Sequence, residues 1–82
     1  MTMTEIQTAF RSRSEIDVLA YMDGYAVLVE DLRVNRDGWI QFRRFPFGDW
    51  HNMSDEGMIE IAERIESEKG MSIVEWGMKG HN

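Results

Sequence analysis

Two runs rich in β-branched and aromatic residues flank the dipeptide Asp37-Gly38, and this arrangement constrains the chain more than any other feature. One run is Tyr25-Ala-Val-Leu-Val29. The other extends from Trp39 to Phe47 and carries Trp39, Ile40, Phe42, Phe45 and Phe47. A short Asn35-Arg-Asp-Gly38 loop between extended runs predicts a β-hairpin, because Gly adopts φ > 0 without a Cβ clash and Asp tolerates it better than most residues. An isolated hairpin is only marginally stable in water, so the rest of the chain must pack on it.

Two readings compete for residues 15–23. As a strand, Ile16 to Met22 turns at Asp23-Gly24 into Tyr25–Val29, with Leu19 facing Leu28, Val18 facing Val29, and a like-charge pair between Asp17 and Glu30. As a helix, Ser14 is the N-cap, Glu15 and Asp17 occupy the first turn, and Gly24 is the C′ residue. The β-branched Ile16 and Val18, with the Asp-Gly signal, favour the strand. Upstream, residues 4–13 predict a short helix capped by Thr4, with Ile6, Ala9 and Phe10 as its apolar stripe, or else an extended arm.

The clearest helix is 54–69. Ser54 is its N-cap, Asp55 and Glu56 complement the dipole, Met53 and Met58 have the spacing of a hydrophobic staple, and Gly70 is its stop. Met58, Ile61, Ala62 and Ile65 recur at i, i+3, i+4 and i+7. Residues 48–53 read as a loop, Met71 to Trp76 as a strand that rejoins the sheet, and 77–82 as a polar tail. The expected fold is α+β and a single domain over 1–82. It comprises a small antiparallel sheet of three to four strands, a meander plus a C-terminal strand, with helix 54–69 packed on one face. The expected core is Val18, Ala20, Val27, Val29, Ile40, Phe42, Met58, Ile61, Ile65, Val74 and Trp76.

Composition narrows the function classes. The chain has no Cys and two His, His51 and His81, so thiol chemistry is excluded and an ordinary zinc site is not expected. Asp49 and His51 could form an orienting pair, but no nucleophile or second base is marked beside them. Gly24, Gly38 and Gly48 are isolated turn glycines and do not form a phosphate-cradling loop. The expectation is a protein that is not an enzyme and holds neither cofactor nor metal. No apolar run reaches the length of a membrane span, and the first residues lack the pattern of a secretory signal, so a soluble cytoplasmic protein is expected.

Two surface patterns remain. Glu56, Glu60 and Glu63 share the helix face opposite the apolar stripe, and residues 54–68 hold six acids against one base, Arg64. Glu60–Arg64 has the favourable i,i+4 order, whereas Glu56–Glu60 is a like-charge pair. With a net charge of −6, this predicts a small acidic protein-binding module that occupies a basic surface of a larger, nucleic-acid-handling partner, with Trp50 as an aromatic anchor beside the helix start. Short length, no Cys and an acidic helix is also the profile of small regulators and inhibitors encoded by phages and mobile elements, an analogy of class only. The alternative is a single-stranded nucleic-acid-binding module using Arg36, Trp39, Arg43 and Arg44 on the hairpin. On a strand from Trp39, residues Trp39, Gln41 and Arg43 would form its wetter face and Ile40 and Phe42 its core face.

Overall fold

A computed structural model describes residues 1–22, 31–44 and 47–80. It is an α+β fold: helices α1 (Met3–Ser12) and α2 (Glu15–Leu19), a 3-10 turn (Ala20–Met22), strands β1 (Asp31–Val34), β2 (Ile40–Arg43) and β3 (His51–Asn52), and helices α3 (Asp55–Lys69) and α4 (Ile73–Lys79). The sheet is antiparallel with order β1-β2-β3.

The hairpin turn falls at Asp37-Gly38 as expected, but the strand that leads into it is Asp31–Val34, nearer the turn than the expected run; it pairs with Ile40–Arg43, with Leu32 opposite Phe42 and Val34 opposite Ile40. Tyr25–Val29, and with it the pairing to residues 16–22, lies outside the described residues. Asn35 builds the turn: its Oδ1 accepts from the N–H groups of Asp37 at 3.0 Å and Trp39 at 2.9 Å. Gly38 has φ +83° and abuts α1, where a Cβ would overlap the Gln7 carbonyl. The same glycine therefore satisfies a local backbone need and a tertiary one.

Residues 15–22 are helical, against the preferred strand. Ser14 caps α2 by accepting from the Asp17 N–H at 3.1 Å. The helical path puts Val18 and Met22 on one side, at 0% and 6% exposure, and leaves Ala20 exposed rather than in the core. One-sided burial at i and i+4, plus a cap, outweighs the β propensity of Ile16 and Val18; Ile16 is out in solvent. At the N-terminus the cap is Thr2 rather than Thr4. Glu5 closes a reciprocal capping box with Thr2, which starts the helix two residues earlier, before the buried Ile6, Ala9 and Phe10.

Helix α3 matches expectation in its cap, its buried stripe Met58, Ile61, Ala62 and Ile65, and its left-handed Gly70. Met53 and Met58 both enter the core. Ahead of α3, residues 51–52 pair with β2, so part of the expected loop is a short strand.

The segment after Gly70 is a helix, not the expected strand. Ser72 accepts from the Glu75 N–H, and the α3 side chain of Glu66 accepts from the Ile73 N–H at 2.7 Å. A helix brings Ile73, Trp76 and Gly77 to one face. A strand would have paired Val74 with Trp76, and Val74 is 39% exposed. The expected tail starts inside this helix: Gly77 is buried, and residues 78–79 are its last turn.

Helices α1, α3 and α4 pack on one another, and α2 packs on β1. Trp76, 2% exposed, meets Phe10 and Tyr21 edge to face, each at 6.4 Å between ring centres, and the Arg13 guanidinium lies 4.3 Å from the indole centre. Phe42, an expected core residue, is only half-buried.

Candidate functional site

Two surfaces carry the candidate residues. The first is the outer face of α3. Glu56, Glu60 and Glu63 are all exposed, and among the described residues none takes part in an ion pair. The i,i+4 pair expected between Glu60 and Arg64 does not form. Arg64 is drawn toward the 3-10 turn, where its Nη1 donates to the Tyr21 carbonyl at 2.9 Å. A guanidinium that satisfies a carbonyl at the edge of the core gains more than one in a solvated helix pair. Other acids have work inside the fold: Glu5 closes the α1 capping box, Asp31 pairs with Arg43, and Glu66 caps α4. Among the described residues Glu60 and Glu63 have no such role. Glu56 is a first-turn acid that complements the helix dipole.

The second surface is the sheet face that points away from the core. Cross-strand bonds run along it: Arg33 Nε donates to Gln41 Oε1 at 2.8 Å, and Gln41 Nε2 donates to Asn52 Oδ1 at 2.8 Å. Arg43 Nε donates to Asp31 Oδ2 at 2.6 Å. The Trp50 ring lies against two cations, with the Arg33 guanidinium 4.1 Å and the Arg43 guanidinium 4.6 Å from its centre. Trp50 thus belongs to the sheet, not to the acidic helix face. Among the described residues no hydrogen bond, ion pair or ring contact joins it to Glu56, Glu60 or Glu63.

The four residues of the nucleic-acid alternative are not brought together. Arg36 is exposed in the turn and Arg44 is exposed at the opposite end of the hairpin. Arg43 is engaged by Asp31 and Trp50. Trp39 packs on the core instead of joining Gln41 and Arg43, because its indole N–H donates to the Met53 carbonyl at 2.8 Å. Arg33 belongs to the same basic stretch of the sequence, but the expected site left it out. The signal was its register: counted back across the turn from Gln41, it falls on the same face.

Asp49 and His51 are both exposed, and the imidazole packs against the Phe42 ring at 5.8 Å; among the described residues no hydrogen bond joins the pair. Among the described residues, no group of three or more His, Asp or Glu is placed to hold a metal ion, and no helix is long and apolar enough to cross a membrane. The class defined by this arrangement is structural: a small α+β fold with an acidic helix face and an Arg/Trp sheet face. No family model, curated protein or solved structure matches the chain.

Proposed function

We propose that the chain is a small acidic protein-binding module, a non-catalytic regulator or inhibitor that lays the outer face of α3 on a basic surface of a larger protein. The observation that carries this reading is the row of exposed acids on one helix face. Glu60 and Glu63 stand exposed and unpaired among the described residues, next to the like-charged Glu56, while Glu5, Asp31 and Glu66 are spent on caps and pairing. Like charges at i,i+4 cost a helix a few tenths of a kcal/mol, so stability alone does not favour this row. A surface that ordinarily holds nucleic-acid phosphates has the complementary charge, and a complementary field speeds encounter and sets orientation.

Affinity capture with the full chain, followed by mass spectrometry, identifies the partner. The triple variant E56K/E60K/E63K then tests the face. It should keep its fold, associate far more slowly and lose the salt dependence of the wild type. A folded triple variant that binds at the wild-type rate overturns the proposal. His51→Ala should leave binding unchanged.

A further inference from the structure

The hairpin has a second surface of different chemistry from the acidic helix face. An open recess of about 450 Å³ lies at the turn end of the sheet, lined by Arg33, Val34, Asn35, Arg36, Asp37 and Gln41. Arg33 is the fixed member. Its Nε is held by Gln41 and its guanidinium lies over the Trp50 ring, while among the described residues its Nη1 and Nη2 make no hydrogen bond. Holding a guanidinium by Nε and by stacking removes much of the entropy that it would otherwise lose on binding an anion. Arg36 is exposed and lines the same recess. Asn35 commits its Oδ1 to the turn, which leaves its amide N–H groups as donors.

We propose that this recess binds a nucleoside monophosphate, with the phosphate between Arg33 and Arg36 and the base stacked on the Arg33 guanidinium. Three observations select this ligand class. Two guanidiniums facing one space match a single phosphate, which takes bidentate N–H donors. Arg33 joins the recess to an aromatic stack, and a planar cation already resting on an indole extends that stack to a planar base. The volume is in the range of small-ligand pockets. A longer polyanion is disfavoured, because Asp37 lines the recess, Asp31 already pairs with Arg43 on the same sheet, and the whole chain carries −6.

The test is a two-dimensional amide NMR titration of the full chain with adenosine 5′-monophosphate. Parallel titrations use adenosine, inorganic phosphate, phosphotyrosine and a short single-stranded oligonucleotide. The expected result is a saturable shift of the amides of residues 33–37 and 41 and of the Trp50 indole, with Kd at or below ~1 mM. Adenosine and phosphate alone should bind at least ~tenfold more weakly. Arg36 is exposed, so R36E should fold normally and lose the nucleotide response. The oligonucleotide should show no gain over the mononucleotide; if it shifts the same signals at lower concentration, the site is a strand-binding surface and the mononucleotide assignment fails. No saturable shift, an undiminished response in R36E, a full response to inorganic phosphate alone, or tighter binding of phosphotyrosine would each overturn the assignment. None of these readouts involves α3, so the outcome is independent of the acidic face.

Discussion

Gly77 of α4 lies directly on Ala9 of α1, so close that a Cβ at position 77 would sit 2.6 Å from the Ala9 Cα and 2.8 Å from its Cβ. The two helices thus meet backbone to backbone, and this contact seats Trp76 beside Phe10. Gly77→Ala gains up to about 1 kcal/mol of helix propensity. It must also separate two packed helices, and overpacking of this kind costs about 1–3 kcal/mol. Urea denaturation should show a net loss of stability; a variant as stable as the wild type would mean that α4 shifts at no cost.

Gly38 and Gly70 both have positive φ, at +83° and +65°, but only Gly38 has a neighbour in the way. An L-residue in this region costs about 1–2 kcal/mol, so Gly70→Ala should lose about that much. Gly38→Ala should lose clearly more, because the new methyl also collides with the Gln7 carbonyl. Equal losses in thermal melts of the two variants would show that the turn does not need its seat on α1.

Ile61 is fully buried and Glu60, the residue before it, is exposed. Ile61→Ala should cost about 2–5 kcal/mol. Glu60→Ala should change stability by no more than about 0.5 kcal/mol. A pair of equilibrium unfolding curves checks both, and a near-zero loss at Ile61 would mean that the wrong face of α3 is in the core.

On the sheet face, Arg43 and Asp31 form a partly exposed pair, with side-chain exposures of 26% and 42%. A double-mutant cycle should give a coupling below about 1 kcal/mol that fades with added salt. The cation–π contact between Arg33 and Trp50 should give about 0.5–1 kcal/mol and fade less. If instead the Arg33–Trp50 coupling vanishes at moderate salt, the stack is electrostatic surface contact and does not fix Arg33.

Local chemistry was enough to define part of this protein. Ser54, the Met58/Ile61/Ala62/Ile65 stripe and Gly70 specify α3, because cap, period and stop all agree within one segment. Asp37-Gly38 specifies the hairpin turn in the same way. Two other segments carried mixed signals. Ile16 and Val18 favour a strand locally, and Met71 to Trp76 reads as one, yet residues 15–22 and 73–79 are helical. Their caps, Ser14 and Ser72, are local, but the deciding terms are not: Val18 and Met22 fill the core from one side, and Ile73, Trp76 and Gly77 close on α1. The surfaces divide along the same line. The exposure of Glu56, Glu60 and Glu63 follows from the period of a single helix. The capture of Trp50 by Arg33 and Arg43, the burial of the Trp39 indole edge against Met53, and the diversion of Arg64 to Tyr21 each join residues far apart in the chain. Such contacts depend on strand register and on which carbonyl lies within reach, and only the assembled fold brings those together.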